Sequence, residues 1–275
     1  MKTILFVFIF ILVFDAGNVQ AQKLEKVWET SGLKTPESVL YDSERDIIYV
    51  SNINGAPAEK DGSGFISILS PDGNIKNLEW ITDLNAPKGM AIYDGKLYVS
   101  DIYQLVEIDI EKGEVIKKYN APDAVFLNDV SACKNGMIFV SDTRTAKIHI
   151  LKDSTFRVWM SGEPLETPNG LMAENGKLFI GDKNIYEVDI KTEKIKMIIE
   201  NAGGVDGLVK NNSGEFVFSN WPGRIFINHN GENIKLLDST EEKINTADLD
   251  FDKKHDLIIV PTFYDNRVVA YKIVY

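Results

Sequence analysis

One cysteine, Cys133, and three histidines, His149, His229 and His255, are all that a chain of 275 residues holds of the softer metal ligands. A single thiol excludes an internal disulfide, and within Ser131-Ala132-Cys133 it reads as a small core residue of a strand. The histidines stand in separate stretches without ligand spacing, so a zinc site, which draws on His and Cys, is not expected. Catalytic signatures are equally short. No Gly-x-Ser-x-Gly elbow occurs. Five residues separate Gly170 from Gly176-Lys177 and Leu178 follows, so the phosphate-loop pattern fails in spacing and in its last residue. Basic charge is scarce, with 30 Lys and Arg against 41 Asp and Glu, a net charge of −11. Phosphate attraction supplies most non-specific nucleic-acid affinity, and here it would be repulsion. Neither nucleic acid nor an anionic membrane is an expected partner. No segment keeps a 3.6-residue apolar period, which leaves strands as the regular element.

Long apolar runs are missing except at the start. Met1-Lys2-Thr3 precedes Ile4 to Phe14, and Val19-Gln20-Ala21 follows. Eleven apolar residues fall short of the roughly 20 that cross a bilayer, so an uncleaved anchor is the weaker reading. A charged start, an apolar centre and a small residue at a cleavage point predict a secretory signal over 1–21. The expectation is an exported protein, periplasmic or secreted, off the membrane once cleaved. No Cys lies near residue 21 to carry a lipid. Lys2 and Asp15 cancel, so the whole negative charge belongs to residues 22–275.

What the chain does have is repetition, the first thing to seek in such a sequence. Six phrases begin at Pro36-Glu37-Ser38-Val39, Pro87-Lys88-Gly89-Met90, Leu127-Asn128-Asp129-Val130, Pro168-Asn169-Gly170-Leu171, Val205-Asp206-Gly207-Leu208 and Thr246-Ala247-Asp248-Leu249. Each is followed by a second apolar strand, ending in Ser51-Asn52, Ser100-Asp101, Ser141-Asp142, Gly181-Asp182, Ser219-Asn220 and Pro261-Thr262. The phrases lie 37 to 51 residues apart, the length of a blade of four antiparallel strands. Third and fourth strands follow, as in Leu105 to Ile110 with Gly113 to Ile116, and in Ile185 to Ile190 with Lys194 to Met197. An all-β, six-bladed propeller over 22–275 is predicted, with no second domain. Its last blade lacks a strand, which Lys26-Val27-Trp28-Glu29-Thr30 supplies, closing the ring and removing an exposed edge.

The first strand of each blade lines the channel, so the residue at its start faces the axis at one mouth. Blade by blade that position holds Glu37, Lys88, Asn128, Asn169, Asp206 and Ala247. Four are oxygen donors and two are carboxylates, a costly burial without a cation. Hard oxygen ligands with two negative charges suit Ca²⁺, which takes six to eight oxygens in flexible geometry; Mg²⁺ prefers tighter octahedral sites. Glu37, Asn128, Asn169 and Asp206 are therefore the candidate metal ligands. Taken singly, Pro-Asn-Gly and Val-Asp-Gly are ordinary turn vocabulary. The recurrent Asn52, Asp101, Asp142, Asp182 and Asn220 occur in nearly every unit and read as turn caps. Loops between second and third strands surround the same mouth and bring Tyr103, Arg144, Trp221 and Phe263 to it as candidate substrate contacts, with Lys88 from the inner ring. The longest, Ile53 to Gly64, is a candidate lid.

With these residues placed, the chain resembles the senescence marker protein-30/gluconolactonase/luciferin-regenerating enzyme-like superfamily over essentially all of 22–275. The resemblance rests on the order Glu, Asn, Asn, Asp in Pro36-Glu37, Leu127-Asn128-Asp129, Pro168-Asn169-Gly170 and Val205-Asp206-Gly207, with Ser219-Asn220-Trp221 after the last. It implies a catalytic Ca²⁺ on Glu37, Asn128, Asn169 and Asp206. Fluorophosphatase-type members carry a histidine in the final blade's loop, where Phe263 stands here, so lactone hydrolysis is the expected chemistry. The expectation is a Ca²⁺-dependent hydrolase of small lactones or related esters, with Asp206 and Asn128 as catalytic residues. The rival is a non-catalytic propeller that binds a ligand or protein, since this architecture hosts many functions.

Overall fold

The structure, a computed structural model, describes residues 22–121 and 123–274; the expected signal segment, 1–21, lies outside the described residues. Twenty-four strands form six sheets of four. Blade one is β2 (Pro36–Asp42), β3 (Ile47–Asn52), β4 (Gly64–Leu69) and β5 (Ile75–Leu84). Blade two is β6 (Pro87–Tyr93), β7 (Lys96–Asp101), β8 (Gln104–Asp109) and β9 (Glu114–Asn120). Blade three is β10 (Leu127–Ala132), β11 (Ile138–Asp142), β12 (Lys147–Lys152) and β13 (Thr155–Ser161). Blade four runs from β14 (Leu171–Glu174) through β15 (Lys177–Gly181) and β16 (Ile185–Asp189) to β17 (Ile195–Ile199). Blade five holds β18 (Leu208–Lys210), β19 (Phe216–Asn220), β20 (Arg224–His229) and β21 (Glu232–Asp238). Blade six combines β22 (Asp250–Asp252), β23 (Leu257–Pro261) and β24 (Arg267–Val274) with β1 (Lys23–Ser31).

The predicted closure is present. β1 pairs antiparallel with β24, from Lys23 opposite Val274 to Ser31 opposite Arg267, so the last sheet mixes both ends of the described chain. Successive inner strands β2, β6, β10, β14, β18 and β22 touch one another around the axis, and β22 returns to β2. At that seam the Asp248 amide donates to the Glu37 carbonyl at 3.0 Å, and the Val39 amide to the Asp248 carbonyl at 3.3 Å. Among the described residues no helix is long and apolar enough to cross a membrane.

Period-2 alternation explains where the core lies. Second and third strands send apolar side chains into the wedges between blades. Tyr49, Ile66, Leu97 and Val106 fill the first wedge, and Phe139, Ile150, Leu178 and Val188 the third. Val39, Ile48, Ile259 and Val268 seal blade six against blade one. Each such buried aliphatic side chain stabilises the fold by roughly 1.5–3 kcal/mol relative to exposure. Outer strands are wet: six of the seven residues of β9, EVIKKYN, are exposed.

The recurrent Ser-Asn and Ser-Asp pairs shape the start of each inner strand. The ladder slips between Pro36 and Ser38, between Pro87 and Met90, and between Leu127 and Val130. Such bulges re-aim side chains and leave amides unpaired. Ser51 Oγ accepts from the Ser38 amide at 2.9 Å, Ser141 Oγ from the Asp129 amide at 2.9 Å and Ser219 Oγ from the Gly207 amide at 2.8 Å. The following Asp or Asn is the expected cap. Asp101 accepts from the Ala86 amide at 2.8 Å, Asp142 from the Val125 amide at 2.9 Å, and Asp182 from the Glu166 amide at 2.8 Å.

Glycine sets how closely these strands approach. A Cβ on Gly207 would lie 2.3 Å from the Leu249 amide nitrogen, and one on Gly89 2.4 Å from the Asp129 Cα. Both obstacles are backbone. Gly207→Ala is expected to lower unfolding free energy by about 1–3 kcal/mol, as overpacking does, read from the midpoint of urea denaturation. A midpoint equal to that of the parent would show that the inner ring is looser than described.

Candidate metal site and channel mouth

The bulges and loops at the blade entries bring the four predicted ligands to one mouth. Glu37 and Asn128 come from β2 and β10, while Asn169 and Asp206 precede β14 and β18. Glu37, Asn128 and Asp206 are 5%, 6% and 4% exposed, and Asn169 is half-buried. The Asp206 amide donates to the Ser219 carbonyl at 2.8 Å, and the Asn169 amide to the Gly181 carbonyl at 2.8 Å, which fixes both backbones.

Each amide side chain is committed through its nitrogen. Asn169 Nδ2 donates to Asp206 Oδ1 at 2.6 Å, and Asn128 Nδ2 donates to Thr143 Oγ1 at 3.2 Å. Thr143 Oγ1 in turn donates to the Pro168 carbonyl at 2.9 Å. The carbonyl oxygens are thereby left for another partner. Asn169 Oδ1 and Glu37 Oε2 are buried and accept no hydrogen bond from the described residues. An orphaned buried acceptor costs about 1–3 kcal/mol, more when charged, so these two oxygens are acceptor positions for a proton, a water or a cation. Among the described residues no three His, Cys, Asp or Glu side chains converge as a metal cluster. The set here mixes carboxylates with amides, a hard oxygen donor set that fits Ca²⁺ better than Zn²⁺.

Electrostatics raise the demand. Burial pushes the Glu37 carboxyl well above the usual range, and the Asp206 charge pushes it further, with Lys88 opposing. Burial raises Asp206 to about 7, against the Asn169 hydrogen bond. Sequence reasoning took one residue per blade and so missed the next level down, where Asp129 and Asp248 lie. Their signal was adjacency: each directly follows an inner-ring position, in Asn128-Asp129 and Ala247-Asp248. Asp129 Oδ1 accepts from the Val130 amide at 2.6 Å and Oδ2 from the Leu171 amide at 2.5 Å, while Asp248 Oδ2 accepts from Ser38 Oγ at 2.5 Å. Burial raises Asp129 to about 8 and lifts Asp248 well above its usual value, where the Asp129 and Glu37 charges add to the effect. Asp250, the next acid along, is raised to about 6 by burial.

Lys88 differs from a solvent-facing lysine, the ordinary reading of such a residue. It is 1% exposed, its Nζ 2.9 Å from the Ala86 carbonyl and 4.5 Å from the centroid of the Phe126 ring. Burial lowers its pKa to about 8, opposed by the charges of Glu37 and Asp101. Arg144, exposed, lies with its guanidinium carbon 4.3 Å from the same ring's centroid. The two cations thus share the Phe126 ring at the mouth.

The remaining wall residues gather around an apolar collar of Ile53, Ala86, Ile102, Ala247 and Phe263, with Tyr103 packed on it. Phe263 is buried and backs Trp221, whose ring meets it edge-on at 5.6 Å and is itself 42% exposed. The loop from Ile53 to Gly64 is pinned across its neck, where Asn54 Nδ2 donates to the Ser63 carbonyl at 3.0 Å. Lys60 Nζ, in that loop, lies 3.8 Å from the Tyr103 ring centroid.

These shifts set a pH dependence. An acid whose folded pKa is raised stabilises the fold fully below its unfolded value, near 4, and loses that contribution as pH rises through the folded value. For Asp250, Asp206 and Asp129 those folded values are about 6, 7 and 8. Chelator-treated protein is therefore expected to lose thermal stability between about pH 5 and 8.5. Added Ca²⁺ should raise the melting temperature more at pH 8 than at pH 5, because cation and proton compete for the same oxygens. A calcium effect that is absent, or equal at both pH values, would contradict this account.

No protein-family model and no curated protein matches the sequence. Solved structures do match in shape. A catalytically inactive virginiamycin B lyase from Staphylococcus aureus with quinupristin is 13% identical, covers 92% of this chain and 100% of its own, and superposes with a TM-score of 0.62. A streptogramin B lyase is 10% identical over 92% of this chain and 98% of its own, with a TM-score of 0.67. A candidate gluconolactonase is 14% identical over 92% of this chain and 93% of its own, with a TM-score of 0.65. At these identities the likeness is one of fold, and the chain is a six-bladed β-propeller whose structural neighbours include that gluconolactonase-like protein.

Proposed function

We propose that the protein is a Ca²⁺-dependent hydrolase of small lactones or related esters, acting at the mouth where Glu37, Asn128, Asn169 and Asp206 meet. The observation that carries this reading is the pair of orphaned buried oxygens, Glu37 Oε2 and Asn169 Oδ1, beside a buried aspartate. The structural likeness to a gluconolactonase-like protein points the same way. A bound Ca²⁺ would polarise the substrate carbonyl and offset the developing oxyanion charge.

The chain's own groups define the rest. Asn169 Nδ2 holds Asp206 Oδ1, and among the described residues no hydrogen bond reaches Oδ2. That oxygen is the base that takes a proton from water at the substrate carbonyl. Burial raises Asp206 to about 7, which makes it a stronger base than a solvated aspartate. A neighbouring dication works against this gain. The site therefore suits activated substrates such as strained lactones and not peptides. Asn128, held through Thr143, presents its carbonyl oxygen. Lys88 and Arg144, both over Phe126, supply positive charge for a substrate with an acidic group, and the exposed Trp221 a flat apolar wall.

The test is a lactone panel assayed with and without chelator. Asp206→Asn keeps the shape and removes the base, and should lower kcat by about 100-fold or more, the usual worth of a positioned base. Glu37→Gln should weaken calcium binding instead, raising the calcium concentration for half-maximal activity. Activity that survives both chelator and Asp206→Asn would reject the mechanism. The binding-module reading draws on a different observation: a cavity of about 880 Å³ lies at the other mouth. No turnover of any lactone while Ca²⁺ is bound would favour it.

A further inference from the structure

A cavity of about 880 Å³ opens on the face opposite the candidate metal site. Its walls are the turns joining first to second and third to fourth strands in blades three and four, with the inner-strand ends of blades five and six. That volume falls within the usual range for small-molecule pockets. Met137, Met172, Val209 and Phe251 give it an apolar floor.

Charge on this face runs against the rest of the molecule. The chain carries −11, yet the cavity is lined by Lys134, Lys152, Lys191, Lys210 and Lys253 against only Glu174 and Asp250. Lys210 is committed, its Nζ 2.7 Å from Glu174 Oε2 and 4.6 Å from the Phe179 ring centroid. The other four form no salt bridge among the described residues. Four cations around an apolar floor, in an acidic protein, focus an attractive field on anions at this one opening.

A second, smaller space continues inward. It is about 230 Å³, shares Met172, Val209 and Asp250 with the cavity, and reaches Asp129 and Asp248 through walls that include Met90, Leu171 and Leu208. Asp129, Asp248 and Asp250 are the charged residues among its walls and no lysine or arginine lines it, so it offers an anionic group no partner, while the aliphatic walls accept an apolar one. A guest is thereby oriented, with its charge at the lysine rim and its hydrocarbon inward.

We infer that this face is a second binding site, separate from the metal mouth, for a small amphipathic anion: an apolar body ending in a carboxylate or sulfonate. The site needs no cation and no hydrolysis. Its occupancy can be read without activity, because Cys133, the sole cysteine, is half-buried in the cavity wall and reports on it by alkylation.

Two probes test it on the full chain at low ionic strength, 8-anilinonaphthalene-1-sulfonate by fluorescence and dodecanoate by competition. One saturable site per chain is expected, displaced by dodecanoate, unchanged by chelator, with Cys133 alkylation slowed when it is filled. Lys134→Glu with Lys253→Glu should weaken both probes by about tenfold or more, since opposite charges at the rim are replaced by like ones. Lys117→Glu with Lys118→Glu on β9 changes the net charge equally and should leave affinity intact. Equal loss in both double variants would show a general charge effect and overturn the assignment. So would absence of saturable binding, or equal binding of dodecylamine. Tight binding of an acidic peptide with none of dodecanoate would replace the small-molecule site by a protein-docking one.

Discussion

Four carboxylates, those of Glu37, Asp129, Asp206 and Asp248, are buried near the axis of one channel, and the buried Lys88 acts on Glu37 alone among them. Burial of unpaired charge is the most expensive thing a small protein can do. Backbone amides and Ser38 absorb part of the cost at Asp129 and Asp248, and Asn169 part of it at Asp206. What remains must be met by protons or by a cation from outside. The same imbalance that makes the channel a poor stabiliser of the fold makes it a strong candidate for a site.

The fold supplies this arrangement because it is closed. An open sheet would let acidic strand ends splay into water. Here β1 and β24 pair the two ends of the described chain, and the inner strands are held so close that Gly89 and Gly207 leave no room for a Cβ. In most blades the serine and the aspartate or asparagine at the end of the second strand hold the entry of that blade, and the Ser100 and Ser219 hydroxyls also donate to the Asn128 and Ala247 carbonyls of the next. Repetition thus does two jobs, building wedges of apolar core and setting one side chain per blade at the mouth.

The two ends of the channel follow different charge logic. At the upper mouth, acids and amides meet beside two cations stacked on Phe126, within an apolar collar. At the lower mouth, unpaired lysines ring an apolar floor. A propeller keeps such faces apart because all loops of one type emerge on one side, which allows separate recognition at each end.

Much of this was legible from residues alone. Six phrases at near-constant intervals, period-2 alternation and a last unit one strand short determine a closed six-bladed ring, because no other layout buries those apolar faces without an open edge. The inner-ring position of Glu37, Asn128, Asn169 and Asp206 follows from the same counting. Three features needed the tertiary structure. The second ring of acids, Asp129 and Asp248, emerged because each is buried against a neighbouring blade, accepting from the Leu171 amide and the Ser38 hydroxyl respectively. Lys88 proved buried because Ala86 and Phe126, not water, lie at its end. The lysine-rimmed cavity joins Lys134, Lys191 and Lys253 from three blades, and their meeting depends on how the sheets are stacked, which no local pattern encodes.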